Sequence, residues 1–274
     1  MISNSLLLHL AFAFVVGSLW VPLVTLIAEK AGSTAGGIIG GLPSTSALSF
    51  LFIGVNQSSD AAVQATTVFP LAFSFTCAFL LFYAFFAKRG FRFGLSVSML
   101  IWFAISALIV FSDLKNFALS LAVGVLVLAA TYYLFAERLR LKIFPPEEKH
   151  YSTLQHLERG LLAGVIVLLA VIASQTGGPV LGGIFSSFPA VFTSTLYIVN
   201  KSRGTDFSRS LTKPLAVSSI LTVIPYCLAI RALYPSLGVW IGTITSYAII
   251  APFAYFAYRL VGTNEVPFIG REEP

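Results

Sequence analysis

Residues 36–43 read Gly-Gly-Ile-Ile-Gly-Gly-Leu-Pro, and residues 182–189 read Gly-Gly-Ile-Phe-Ser-Ser-Phe-Pro. The two stretches align without a gap at a spacing of 146 residues. The same register pairs further polar residues, namely Asp60 with Asp206, Thr66 with Thr212, and Thr76 with Thr222. Matched leucines or alanines mean little in an apolar chain, whereas Gly and Pro each fix backbone geometry. The pattern therefore predicts an internal duplication, which is typical of membrane transporters.

The composition indicates that the chain is embedded in a membrane. Apolar residues make up 57% of the 274 residues and charged residues only 10%, whereas soluble domains contain about 25% charged residues. The apolar runs are continuous rather than alternating, and a spanning helix needs about 20 apolar residues. We predict an all-α polytopic membrane protein with nine transmembrane helices, at residues 6–27, 34–54, 63–86, 93–112, 116–136, 158–174, 178–199, 211–230 and 235–258.

The basic residues divide unequally between the two sides of these predicted spans. Of the 17 Lys and Arg residues, only Lys115 and Arg231 fall on the side that holds the N-terminus, and the other 15 fall on the opposite side. The positive-inside rule places the richer side in the cytoplasm. We therefore expect the N-terminus outside and the C-terminus inside.

The net charge of +6 follows from these topology determinants, which face anionic lipid, and needs no nucleic-acid partner. The alternative is a cytoplasmic cluster that serves an anionic ligand, with Lys201, Arg203, Arg209 and Lys213 as its candidates.

The repeat and the charge pattern together predict two inverted four-helix repeats. Four spans return a chain to its starting side, so the extra fifth span turns the second copy over. The predicted divisions are a first repeat at 1–112, a linker helix with a cytoplasmic loop at 113–157, a second repeat at 158–260 and a cytoplasmic tail at 261–274. Two units related by a pseudo-two-fold axis in the membrane plane are typical of secondary transporters and also of some channels.

A resemblance to a known family points the same way. The run from Ala35 to Ser46, then Asp60, a Phe- and Pro-rich third span and a Lys-Arg-Gly turn resemble the GlpM-type family of small four-helix membrane proteins. Spans 6–9 resemble a second, more diverged copy, in which Gly40-Gly41 has become Ser186-Ser187. The resemblance implies a fold rather than an activity and transfers no catalytic residues.

The Gly-Gly-Pro elements are the predicted substrate or pore site. Pro43 and Pro189 fall near the bilayer midplane, where a proline frees carbonyl groups of the preceding turn. Helices that begin at these prolines would present positive N-terminal dipoles to the centre, which favours an anion or a carboxylate. The candidate site residues are Gly36, Gly37, Pro43, Ser44, Thr45, Ser46, Gly182, Gly183, Ser186, Ser187, Pro189 and Thr193.

Structural interpretations stand beside this one. Small residues let membrane helices pack closely, and proline can simply kink them. Asp60 and Asp206 precede apolar runs, where helix N-caps belong. His156 falls in the predicted cytoplasmic loop. We predict no catalytic residues, no metal site and no cofactor.

A small secondary transporter is the first functional hypothesis, with an anionic or zwitterionic solute slightly favoured. A channel of the same inverted-repeat architecture is the second, and a non-transport role in envelope assembly or lipid handling is the third. The expected partners are membrane lipid and a small solute or ion, without nucleic acid, and homo-oligomer formation stays open. The expected location is the cell membrane, as a multi-pass protein that is not an enzyme.

Overall fold

The computed structural model describes residues 4–30, 42–137, 139 and 152–263, and within these ranges the chain is helical without strands. The first part of the chain contains α1 (Asn4–Lys30), α2 (Ser44–Asn56), α3 (Ser59–Ala65), α4 (Phe69–Phe86), α5 (Phe91–Phe111) and α6 (Phe117–Glu137). The second part contains α7 (Thr153–Gly177), α8 (Pro179–Ser186), α9 (Ala190–Ser210) and α10 (Thr212–Thr263).

Seven helical stretches of the described residues are long and apolar enough to cross a membrane. The helices differ from the predicted spans at three places. The third predicted span divides into α3 and α4, and the seventh is split between α8 and α9. The connection predicted at 231–234 between the eighth and ninth spans is helical, and the two helical parts of α10 meet instead at a break at Gly238, where φ is 71°. Gly tolerates this conformation and lets the chain change direction there without a loop.

Large apolar side chains cover the outside of the bundle. Leu100, Phe111, Leu126 and Ile244 are each more than 65% exposed. A soluble protein rarely leaves so many large apolar groups in water, whereas lipid solvates them. The predicted class of all-α membrane protein is therefore confirmed in its coarse form.

Helix α4 lies at the centre of the bundle. In its apolar stretch 78% of the residues are buried, compared with 28% in that of α5 and 22% in that of α6. Two clusters of buried apolar residues meet along it: Phe69 and Phe73 belong to one, and Phe79 and Leu80 belong to the other. A helix that is apolar on all sides is buried when other helices surround it, and here α5, α6 and α10 pack against α4.

Helices α1 and α7, the first helices of the two repeats, make the most extensive helix–helix contact. A Cβ atom at Gly164 would lie 2.7 Å from the Phe14 carbonyl oxygen, and a Cβ atom at Gly160 would lie 2.2 Å from the Ser18 carbonyl oxygen. Ser18 and Gly164 occupy equivalent positions, 146 residues apart. A contact between equivalent positions lies at the axis that relates two copies, so this crossing is the first sign of internal symmetry.

Local geometry repeats as well. The hydroxyl of Thr66 donates to the Val63 carbonyl at 2.6 Å, and that of the equivalent Thr212 donates to the Arg209 carbonyl at 2.7 Å. Helix α3 has its counterpart in the last turns of α9, which follow a break at Gly204. The duplication read from the sequence is therefore visible in the structure.

Asp60 lies in the first turn of α3, but the residue that caps this helix is Ser58. The Ser58 hydroxyl accepts a hydrogen bond from the Ala61 N–H at 3.0 Å. Asp206 lies in the turn after the Gly204 break, 3.2 Å from Arg209. The prediction of an Asp60 cap is wrong because the extended residue that precedes the helix is Ser58, and Asp60 instead faces the positive end of the helix dipole.

Replacing Gly160 with Val should destabilise the protein, because the added carbon atoms would overlap the Ser18 carbonyl in a contact that cannot widen without separating α1 from α7. We expect a loss of about 1–3 kcal/mol, measured as a lower thermal unfolding midpoint in detergent. Leu161→Val, at an exposed position on the same helix, is the matched control. An equal midpoint for both variants would contradict the close crossing.

Candidate functional site

The two prolines have the same local geometry. Pro43 precedes α2 with φ −75° and ψ 58°, and Pro189 precedes α9 with φ −75° and ψ 43°. The N–H of Ser44 bonds to the Leu42 carbonyl at 2.8 Å, and that of Ala190 bonds to the Phe188 carbonyl at 2.7 Å. These are inverse γ-turns centred on proline. The turn at Pro189 separates α8 from α9, as predicted, and the turn at Pro43 directly precedes α2, while the residues before Leu42 lie outside the described part of the chain.

The two breaks contact each other. The hydroxyl of Ser46, in the first turn of α2, donates to the carbonyl of Ser186 at 2.9 Å. The next carbonyl, of Ser187, accepts from the hydroxyl of Thr76 at 2.5 Å, and the Trp102 indole N–H donates to Thr76 at 2.9 Å. Side chains of α2 and α4 thus bind the carbonyl groups that the second break releases, and Trp102 of α5 supports the Thr76 hydroxyl. Thr76 and Trp102 are site residues that the sequence analysis missed, although the match of Thr76 to Thr222 was a signal.

The glycine pair before the second break serves close packing. A Cβ atom at Gly183 would lie 1.9 Å from the Ala65 carbonyl oxygen, and one at Gly182 would lie 2.5 Å from the Ser174 Cβ atom. Only a hydrogen fits at either position, so α8 lies between α7 and the end of α3. The predicted site residues Gly36 and Gly37 lie outside the described residues.

Most hydroxyls at the breaks bond to backbone carbonyls. Ser44 donates to Leu42, Ser186 to Gly182, and Ser187 to Ile184. The hydroxyls of Thr45 and Thr193 are buried and have no hydrogen-bond partner among the described residues. The backbone donors are also incompletely used, because the second and third N–H groups of a helix have no partner within it. The described part of the centre therefore has its released carbonyls bound and donors left over.

Two arginines bind the backbone of the first repeat at separate places. Arg231 of α10 donates to the Val63 carbonyl at 3.1 Å and to the Thr66 hydroxyl at 3.0 Å, and its guanidinium lies 4.2 Å from the Phe117 ring centroid. Arg209 of α9 donates to the Ala84 carbonyl at 2.9 Å.

The repeat relation maps one of these arginine contacts onto the other to within one residue. Position 231 corresponds to 85 and position 209 corresponds to 63, so a two-fold relation maps the contact 63–231 onto 85–209. The observed contact is 84–209, one residue away. Neither contact was anticipated from the sequence, since Arg209 was interpreted as a cytoplasmic charge or as part of a cluster for an anionic ligand, and Arg231 as an exception to the charge rule.

Two titratable side chains lie deeper than predicted. His156 was predicted in a loop, which is wrong: it is buried in the first turns of α7, which begins at Thr153 because Ser152 forms a capping box with Gln155. Arg159, one turn further along α7, is 7% exposed, and its guanidinium donates to the hydroxyl of Thr195 in α9. Arg159 directly precedes an apolar run in the sequence. This position is the signal that could have placed its side chain inside the helix bundle.

The fold and the proline geometry define a class: an internally duplicated membrane protein, helical throughout its described ranges, with two proline turns in contact inside the bundle. One family model matches the chain in two segments, residues 10–116 and 157–260, and its description reads "Protein of unknown function (DUF3147)". The matched segments cover more than half of the chain, so the protein belongs to this family. The two-part match supports the internal duplication, and the matching model is not that of the GlpM-type family. Neither the curated proteins nor the solved structures yield a match.

Replacing Arg231 with Gln should weaken the attachment of α10 to α3, because the Val63 carbonyl and the Thr66 hydroxyl lose a charged donor. We expect a loss of about 1.5–3 kcal/mol in unfolding free energy. Lys115→Gln is the matched control, since Lys115 is the other basic residue of the side predicted to be external and its side chain is 76% exposed. If both variants unfold at the temperature of the unmodified protein, the Arg231 contact contributes nothing to stability.

Proposed function

We propose that the protein is a small secondary transporter of the cell membrane, with nine spans, the N-terminus outside and the C-terminus inside. Two features support this count. Gly238 divides α10 into two helical parts, and α9 continues for 21 residues after the second proline. The charge asymmetry of the sequence supports the orientation. The first repeat has four spans and the linker helix α6 adds a fifth, so the second repeat begins on the opposite side of the membrane and is inverted. A shared origin with the GlpM-type family is part of this proposal and rests on the resemblance alone.

The observation that carries the proposal is the pair of proline-started helices in direct contact. Ser46 of α2 touches Ser186, which ends α8 just before α9 begins. Discontinuous helices at a repeat interface are where secondary transporters bind their solutes. Because the released carbonyls are bound and helix N-terminal donors remain, the centre suits a solute that accepts hydrogen bonds. A small anion or a zwitterion with a carboxylate fits this chemistry.

The two arginine contacts fit alternating access. In the proposed orientation, Arg231 lies toward the outer face and Arg209 toward the cytoplasm. Each fixes the second repeat to a carbonyl of the first. Opening the protein to one side of the membrane then requires the arginine contact on that side to break, while the contact on the other side stays intact. We propose transport rather than catalysis for this architecture.

Flux into proteoliposomes tests the proposal. Purified protein is reconstituted and offered radiolabelled inorganic phosphate, small carboxylates and amino acids one at a time. We expect saturable uptake of at least one of these solutes, accelerated by the same unlabelled solute on the opposite side. Single-channel conductance without counterflow would show the alternative, a channel of the same fold. Absence of both across the panel would contradict transport and favour the non-transport role.

Pro43→Ala and Pro189→Ala should each reduce this flux. Alanine restores a backbone N–H and allows the preceding turn to continue, so the helix start loses its fixed geometry. We expect at least about a tenfold loss, since a shift of about 1 Å at a binding site costs as much or more. Pro252→Ala, at an exposed proline within α10, is the control and should leave flux unchanged. Full activity of both break variants would favour a packing role for the prolines.

Cysteine labelling tests the inversion. Cys77 and Cys227 are both buried, so the background reaction with a membrane-impermeant maleimide should be low. Asp60→Cys and Asp206→Cys place exposed thiols at equivalent repeat positions. We expect Asp60→Cys to react in intact cells and Asp206→Cys to react only after permeabilisation. Equal reactivity of the two variants in intact cells would exclude inverted repeats.

A further inference from the structure

A cleft between the two repeats runs from the start of α5 along α9. Its wider part, of about 520 Å³, separates the start of α5 from the middle of α9 and is lined by Phe91, Arg92, Leu95, Ser96, Tyr197, Asn200 and Lys201. Its narrower part, of about 230 Å³, adds Glu158 and Leu162 of α7 and Thr193, Ser194 and Ile198 of α9. Leu95 and Tyr197 line both parts, so the cleft is continuous.

The wide part carries four polar side chains, those of Arg92, Ser96, Asn200 and Lys201, and two of them are cations. Arg92 and Lys201 stand on opposite sides of it and are both exposed, and no carboxylate of the described residues is within ion-pair distance of either. The Asn200 side-chain oxygen accepts a hydrogen bond from the Thr205 hydroxyl at 2.9 Å. This bond orients the amide, so that its NH₂ group remains as a further donor. Two cations and an amide donor are a suitable set for a phosphate group.

The narrow part is apolar. Leu95, Leu162 and Ile198 are among its lining residues, and it runs along α7 and α9. Glu158 is the single carboxylate of the lining, so the two cations outnumber it. A polar, cationic end that continues into an apolar groove matches an amphiphile with a negative headgroup and a hydrocarbon chain.

We propose that this cleft binds an anionic glycerophospholipid of the cytoplasmic leaflet. The phosphodiester lies between Arg92, Lys201 and the Asn200 amide, and one acyl chain follows Leu95 and Leu162. Basic pockets between transmembrane helices on the cytoplasmic side bind headgroups in this way. Because α5 belongs to the first repeat and α9 to the second, the lipid contacts both repeats and fills the space between them. Thr193, in the first turn after the second break, lines the narrow part, but none of the residues around the phosphodiester belongs to the breaks. The assignment to the cytoplasmic leaflet rests on the proposed orientation and not on transport.

Native mass spectrometry of the full-length protein tests the proposal, with phosphatidylglycerol or phosphatidylcholine titrated into the detergent solution. We expect tighter retention of phosphatidylglycerol. The double variant Arg92→Gln, Lys201→Gln should bind it roughly 30-fold more weakly, at about fivefold for each cation. The matched control is Lys88→Gln, Arg89→Gln, which removes two exposed cations from the same end of the bundle. The control should bind as the unmodified protein does.

A second variant separates the acyl groove from simple charge attraction. Leu95→Trp fills the groove and keeps both cations, so it should weaken phosphatidylglycerol binding at least fivefold. Circular dichroism and thermal unfolding in detergent verify that each variant is folded. Three results would overturn the proposal: equal weakening in the control, equal retention of phosphatidylcholine, or displacement of the lipid by millimolar inorganic phosphate, which would indicate a site for a free anion.

Discussion

In a bilayer, every backbone group that a helix break releases must find a partner inside the protein. This constraint explains the arrangement around the second break, where α8 ends at Ser186 and α9 begins at Ala190. The carbonyls of Ser186 and Ser187 are bound by hydroxyls of Ser46 and Thr76. Those hydroxyls require the start of α2 and the middle of α4 to lie beside the break. The central position of α4 thus follows from a hydrogen-bonding need as well as from its apolar surface.

The same constraint separates acceptors from donors at the centre. Side-chain hydroxyls bind carbonyls readily because each carries a proton to donate. A helix N-terminus needs acceptors for its free N–H groups. The hydroxyls of Ser186 and Ser187 lie beside the second break, and each already donates its proton to a backbone carbonyl. In the described residues, the centre therefore tends toward unbound donors. These donors support the proposed binding site at the breaks, since a buried donor without a partner is costly.

The sequence predicted the class of fold, the duplication and the break at Pro189, because Gly and Pro act locally and leave a pattern that a single chain displays. It placed the connection between the eighth and ninth spans at 231–234 rather than at Gly238, since a positive φ angle at one glycine leaves no compositional mark. The contacts of Arg231 and Thr76 were also missed. Both depend on which helix lies opposite, and the sequence gives no information on that before the bundle is assembled.

In the proposed transporter, the pair of arginine contacts limits how the repeats can move. Arg209 and Arg231 flank the first half of α10 and fix it to the first repeat at Ala84 and at Val63. A hydrogen bond to a charged group contributes about 1.5–3 kcal/mol, and conformational states of one protein commonly differ by a few kcal/mol. Breaking one contact is therefore within thermal reach, whereas breaking both at once would roughly double the free energy required. Two similar contacts at separate places thus favour opening one end at a time, which is the condition that alternating access imposes.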